Sequence, residues 1–176
     1  PHAAARHAGE DIGQGDENQA RPIGRASHGV RGIKLNEGDS VIGMDIAEDD
    51  KFILTVTENG YGKLTKTSLY PVQKRAGKGV LNYKLTKKTG RISGLCCIDK
   101  QENDVMMISY DGTVIRMEAG GISSMGRSTS GVKVMTLDED IKISAIAKIL
   151  QRLVITPETI PAIIALKFFF NTVTCS

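Results

Sequence analysis

Seven cationic side chains and no carboxylate occupy the stretch PVQKRAGKGVLNYKLTKKTGRI, from Pro71 to Ile92. Charge concentrated in this way without counter-ions suits an anionic ligand. Glycine accompanies the cations in RAGKG, and glycine lets backbone amides come close to a polyanion while Lys and Arg supply the charge. The acid-free region is wider still. Between Asn59 and Ile98 there are nine Lys or Arg and no Asp or Glu, so a modest overall charge of +3 hides a remainder of about −6. An asymmetry of this kind is the electrostatic footprint of a polyanion binder.

Other chemistry is poorly supported. RAGKGV contains Gly-Lys, but a P-loop needs four residues between its glycines and a Ser or Thr after the lysine, whereas Gly79 follows Lys78. His2, His7 and His28 have no Cys or carboxylate partner at metal-ligand spacing. Cys96 and Cys97 lie in an apolar run and read as structural thiols. The acidic runs Glu48 to Asp50 and Asp138 to Asp140 flank strand-like segments and read as solvated turns rather than an acid/base pair. No catalytic residue, metal ligand or cofactor site is assigned, and the chain is not expected to be an enzyme by itself.

The elements that must position the cations come from a repeat. GRASHGVRGIKL from Gly24, KRAGKGVLNYKL from Lys74 and GRSTSGVKVMTL from Gly126 align without gaps. Each has Arg, three residues, Gly-Val, and Leu five positions after the valine. The arginines are Arg25, Arg75 and Arg127, the glycines Gly29, Gly79 and Gly131, and the leucines Leu35, Leu85 and Leu137. Between the copies, SVIGMDIA and DKFILTVTENGYGKLTKT answer to RISGLCCID and NDVMMISYDGTVIRMEA. Asn59-Gly60 and Asp111-Gly112 fall between apolar runs and predict type I′ hairpin turns. Each unit of about fifty residues then holds about four short antiparallel strands, the layout of a propeller blade. A β-sandwich has no need of a fixed period, and the apolar runs are too short and too often broken by glycine for a helical solenoid. In GVLNYKL, alternation puts Lys84 opposite Tyr83, as in a strand with one wet face.

The fold class expected is all-β, a partial array of propeller-like blades with irregular ends. Residues 1–20 show no strand alternation and read as irregular, 21–149 as the blades, and 150–176 as an apolar tail outside the repeat. Neighbouring residues of a strand face opposite ways, so Cys96 and Cys97 are not expected to bridge, and a reducing, cytoplasmic setting is expected. IPAIIALKFFF is too short to span a bilayer and is interrupted by Lys167, so no membrane partner is expected.

The longer segments ENGYGKLTKTSLYPVQKRAGKGVLNYKL and DVMMISYDGTVIRMEAGGISSMGRSTSGVKVM closely resemble the C-terminal domain of DNA gyrase A, over about Arg21 to Ile149. The resemblance implies a β-pinwheel, a ring of blades that exchange strands and wrap duplex DNA on a basic rim. It implies double-stranded DNA as ligand, and the rest of gyrase A with gyrase B as partners. It also implies a nucleoid-associated location, and ATP and Mg for the complete enzyme only. The family's box is Gln, a basic residue, Arg, Gly, Gly, Lys, Gly. Gln73, Lys74, Arg75, Ala76, Gly77, Lys78 and Gly79 match it except at Ala76, where a need for positive φ would strain alanine. The surrounding sequence resembles one of the last blades, which makes this copy the box's repeat equivalent.

The family's nucleophilic tyrosine lies in a region absent from this sequence, and none of Tyr61, Tyr70, Tyr83 or Tyr110 has its surrounding motif. A truncated or frame-shifted reading frame would account for both ends. The expected phosphate contacts are Arg25, Arg31, Lys34, Lys63, Lys74, Arg75, Lys78, Lys84, Arg91, Arg127 and Lys133, contributing charge more than base readout. The competing expectations are a topoisomerase IV C-terminal-like DNA-bending domain, a protein-interaction propeller, and an inert fragment with open sheet edges.

Overall fold

The computed structural model describes residues 2–6, 11–15, 24–29, 31–74 and 76–150. Its strands are β1 (His2–Arg6), β2 (Asp11–Gly15), β3 (Val41–Ile46), β4 (Phe52–Thr57), β5 (Tyr61–Lys66) and β6 (Val72–Gln73), followed by β7 (Val80–Leu81), β8 (Ile92–Ile98), β9 (Asn103–Ser109), β10 (Val114–Glu118), β11 (Val132–Lys133) and β12 (Ile143–Leu150). Single 3-10 turns at Thr67–Leu69 and Ala119–Gly121 follow β5 and β10. The strands form three sheets in the orders β3-β1-β2-β6 with β7 also on β2, β8-β4-β5-β11, and β10-β9-β12.

The sheets share a common three-strand plan. In each, a hairpin (β1–β2, β4–β5 or β9–β10) is flanked on its first strand by the strand that begins the next unit (β3, β8 or β12). On the other side, β7 leaves its own unit to pair with β2, Ile12 opposite Val80, and β11 pairs with β5 in the same way, Gly62 opposite Val132. Two parallel contacts also recur, Gln14 with Val72 matching Leu64 with Ser124, and Ile33 with Gly77 matching Tyr83 with Thr129. Each unit thus finishes the sheet of the one before it. This exchange closes edges that would otherwise present unpaired backbone groups.

The residues explain the layers. FILTVT and ISGLCCI are dense in β-branched and apolar types and are buried on both faces as central strands of stacked sheets. Leu54, Val56, Cys96 and Ile98 cluster with Val105, Met107 and Ile143 of the third sheet and with Ile122 just after its 3-10 turn. Their neighbours Ile53, Leu95 and Cys97 cluster with Ile12 of the first sheet and with Ala47 and Tyr70 from the connecting segments. Full burial of each such aliphatic chain contributes about 1.5–3 kcal/mol. Cys96 and Cys97 are free and point to opposite cores. Burial pushes the Cys96 thiol up to about 12 and raises that of Cys97, so both are poor nucleophiles. The β3, β8 and β12 strands lie against one another, tied by Cys97 N–H to Asp45 Oδ2 (2.8 Å) and Ser93 Oγ to the Ile143 carbonyl (3.0 Å).

Two expectations are corrected. Two stretches expected to be irregular, His2–Arg6 and Asp11–Gly15, are strands: β1 and β2 pair as the hairpin of the first sheet, so that unit begins before residue 21. Alanine and glycine in HAAAR and DIGQG hid it, being weak strand formers. The hairpin turns are not type I′. Gly60 and Gly112 have φ of +82° and +88°, but Asn59 and Asp111 do not take positive φ. Both are three-residue loops closed by Gly60 N–H to the Thr57 carbonyl and Gly112 N–H to the Ser109 carbonyl, with glycine in the left-handed position. The all-β architecture of antiparallel blades is as expected, with β6 added to β2 in parallel and three strands in the third sheet among the described residues. Residues 151–176, most of the expected tail, lie outside the described residues.

Candidate nucleic-acid interface

The second and third Arg-x-x-x-Gly-Val loops sit at one edge of their sheets, opposite the β3 and β8 edge, because they lead into β7 and β11, the strands exchanged onto the previous unit. The glycines of all three loops have φ of +76° (Gly29), +90° (Gly79) and +70° (Gly131), a conformation that disfavours any side chain. The box-like loop is latched by Ala76 N–H to the Gly32 carbonyl (3.0 Å) and Lys34 N–H to the Gly77 carbonyl (2.9 Å). The next loop repeats the second latch with Lys84 N–H and the Thr129 carbonyl at 3.1 Å.

These latches decide which cations gather. Arg31, Lys34, Lys74 and Lys78 are exposed and flank the box-like loop on two chain segments joined by backbone hydrogen bonds. Lys84 and the half-buried Arg127 flank the next loop, with the exposed Lys133 on the strand that follows. Arg25 is exposed in the first loop, in the turn closed by Ser27 N–H to the Gly24 carbonyl. Arg75 lies outside the described residues. Arg91 is exposed but elsewhere, its backbone bonded to Glu58 beside the β4–β5 turn. Among the described residues, the ion pairs Lys51–Glu48, Arg116–Asp104, Lys142–Glu58 and Lys148–Asp45 leave Lys74 and Lys78 out. One acid does stand near the cluster: Asp11 lies beside Gly79, and a Cβ there would be 3.4 Å from that of Asp11. The Asp138 and Asp140 carboxylates line a cleft of about 440 Å³ with Glu58, Lys87 and Lys142. Among the described residues no three His, Cys, Asp or Glu side chains group as a metal site.

Lys63 is not a phosphate contact. Its side chain is fully buried, because β5 is a central strand covered by both β4 and β11. The ammonium donates to the carbonyls of Asn82 (2.6 Å), Gly126 (2.8 Å) and Arg127 and to Thr129 Oγ1 (3.2 Å), and it stands 5.1 Å from the centre of the Tyr83 ring. Burial pulls its pKa down to about 8. A network surrounds it that sequence reasoning missed. Tyr70 donates to Asn82 Oδ1 (2.5 Å), Asn82 Nδ2 to Thr55 Oγ1 (2.9 Å), and Tyr83 to the Ser130 carbonyl (2.6 Å). Burial pushes Tyr70 up to about 12 and raises Tyr83 as well, so both remain proton donors. Tyr83 inside and Lys84 outside match the alternation, although the strand itself covers only Val80–Leu81.

Ala76 has φ of +59°. The one departure from the family box therefore falls where glycine is favoured. The left-handed conformation costs alanine about 1–2 kcal/mol, part of which is offset by the greater unfolded-state freedom of glycine. Ala76→Gly should stabilise the chain by about 0.5–1 kcal/mol, read as a higher urea midpoint at unchanged slope. A lower midpoint would show that the alanine methyl makes a compensating contact.

Strand-exchanging blades with a repeated cationic loop on one edge define a β-pinwheel of the propeller class. Comparison with known proteins places it further. The model for the DNA gyrase C-terminal domain, beta-propeller, matches residues 16–48, 51–96 and 103–149. DNA gyrase A of Staphylococcus epidermidis is 40% identical over 135 residues, 76% of this chain and 15% of the relative. That of Dehalogenimonas lykanthroporepellens is 46% identical over 125 residues, 68% of this chain and 15% of the relative. A solved DNA gyrase A C-terminal domain superposes with a TM-score of 0.75 at 26% identity, covering 84% of this chain and 50% of that one. The C-terminal domain of DNA topoisomerase IV shares the fold, with a TM-score of 0.76 at 23% identity over 85% of this chain and 46% of its own. The chain belongs to the family of the DNA gyrase A C-terminal domain, and spans about 15% of the length of the curated relatives it matches.

Proposed function

We propose that this chain is the part of a DNA gyrase A that holds duplex DNA, by sequence-tolerant contact with the phosphate backbone along its loop-bearing edge. The observation that carries the reading is the recurrence of the latched loop on the first and second sheets, with Lys74 and Lys78 on one and Arg127 on the other. Evenly spaced cations meet the evenly spaced phosphates of a rod, and affinity then depends on counter-ion release. Bending the duplex across successive loops would support the negative supercoiling of a complete enzyme. Its ATP and Mg would be used by the remainder of gyrase A and by gyrase B, in the cytoplasm at the nucleoid. Among the described residues no helix is long and apolar enough to cross a membrane.

The topoisomerase IV reading shares the fold, but 40–46% identity to curated gyrase relatives favours gyrase. A complemented full-length enzyme separates the two, since negative supercoils are left only in the gyrase case. For the chain itself, a gel shift on a duplex of about 100 base pairs, end-labelled for energy transfer, is the direct test. With six to ten phosphates engaged, affinity should fall by about 10³–10⁵ between 50 and 200 mM salt, and the duplex ends should draw together. Binding no stronger than to heparin, without bending, would leave a protein-interaction propeller.

A further inference from the structure

The buried Lys63 ammonium is idle in any scheme that assigns cations to the ligand. Its donors are already taken, yet its acceptors are not scattered. The Gly126 and Arg127 carbonyls and the Thr129 hydroxyl belong to the loop that presents Arg127, and the Asn82 carbonyl belongs to the segment against which that loop is latched. Carbonyl oxygens converging on a point repel one another unless a donor sits among them, and buried acceptors left without a donor are costly.

The neighbouring copy solves the same problem differently. Gly13 stands at the position equivalent to Lys63, and the carbonyl equivalent to that of Asn82, on Gly32, is taken by the Ala76 N–H. Ala76 reaches it with φ of +59°, whereas its counterpart Ser128 is not in the left-handed region. One loop is therefore held by its own strained backbone, and the next by a lysine from the sheet beneath it.

Resting on the reading of this edge as the DNA-holding surface, we propose that Lys63 is a positioning residue: its ammonium fixes the Gly126–Gly131 loop in the shape that offers Arg127 to a phosphate, without touching the ligand itself. The lysine acts through two carbonyls of the loop and the ring of Tyr83, whose hydroxyl holds the Ser130 carbonyl. A positioning role and a direct contact make opposite statements about coupling, because residues acting through one another are non-additive while separate phosphate contacts multiply.

The test is a double-mutant cycle on the full 176-residue chain, with anisotropy on a labelled duplex as readout. Arg127→Gln and Lys63→Met should each weaken binding about three- to tenfold, and the two together no more than either alone. Lys63→Met combined with Lys78→Gln, on the other loop, should multiply. Full multiplication with Arg127→Gln, or no effect of Lys63→Met, would overturn the proposal.

A second measurement needs no DNA. In Lys63→Met the Lys84 amide, bonded to the Thr129 carbonyl, should exchange at least about tenfold faster, while its counterpart Lys34, bonded to the Gly77 carbonyl, should not. Equal acceleration at both, or at neither, would also overturn it. If Lys63→Met does not fold, Thr129→Val, which deletes one acceptor of the ammonium, should couple to Arg127→Gln with about a twofold effect, and full additivity would count against the proposal. Should the unaltered chain fail to bind duplex at all, the exchange experiment still decides the role of Lys63, so the two failures are distinguishable.

Discussion

Replacing Lys74, Arg75 and Lys78 together by glutamine is expected to reduce the slope of log K against log salt by about two to three, and to weaken duplex binding by roughly a hundredfold at low salt. The reasoning is local. Lys74 and Lys78 are exposed on either side of a loop latched to Gly32 and Lys34, and neither takes part in the ion pairs that occupy Lys51, Lys142 and Lys148. A cation without an intramolecular partner exchanges a cloud of small ions for a phosphate at little enthalpic cost, and each phosphate neutralised contributes about 0.9 to the slope. Because Arg31 and Lys34 stay in place, binding should be weakened rather than abolished. Binding titrations at four or more salt concentrations check it. A slope unchanged within error would remove this loop from the footprint, whatever happened to affinity at one salt concentration.

How much of this was legible in the sequence depends on what each residue had to do. Gly29, Gly79 and Gly131 could be read because each copy needs positive φ at the same place, and only glycine meets that need without strain. The two central cores were legible in FILTVT and ISGLCCI, since burial on both faces demands apolar residues without alternation. The first hairpin was not. Ala3 to Ala5, and Gly13 with Gly15, carry little strand preference, and what makes them strands is pairing with β3 and β7, which come much later in the chain. Lys63 was misread for a related reason. A lone cation in a strand is ordinarily on the wet face, and its burial follows from coverage of β5 by an exchanged strand seventy residues away. Alternation alone cannot show that both edges are covered. The sign of φ at Ala76 was framed by the sequence as a question, and only the backbone answers it.

The same exchanged strands set the second large effect, at one repeat position met in three environments. Gly131→Ala is expected to destabilise the chain by about 3 kcal/mol or more, Gly79→Ala by about 2–3, and Gly29→Ala by about 1. All three positions have positive φ, so the conformational cost of about 1 kcal/mol is common to them. They differ in what a methyl group would meet. At Gly29 there is open space; at Gly79 the Cβ would lie 2.9 Å from the Ile12 carbonyl oxygen; at Gly131 it would run into the Tyr83 hydroxyl and stand 2.7 Å from the Gly62 carbonyl oxygen. The Ile12 and Gly62 carbonyls belong to β2 and β5, onto which β7 and β11 are exchanged, so at Gly79 and Gly131 the methyl wedges the interlock apart where it forms. At Gly131 it also dislodges Tyr83 from the Ser130 carbonyl and from its place over Lys63. Urea denaturation of the three variants followed by circular dichroism measures the series. A graded loss would show that close packing of exchanged strands holds neighbouring units together, and three equal losses of about 1 kcal/mol would show instead that backbone conformation is all the glycine supplies.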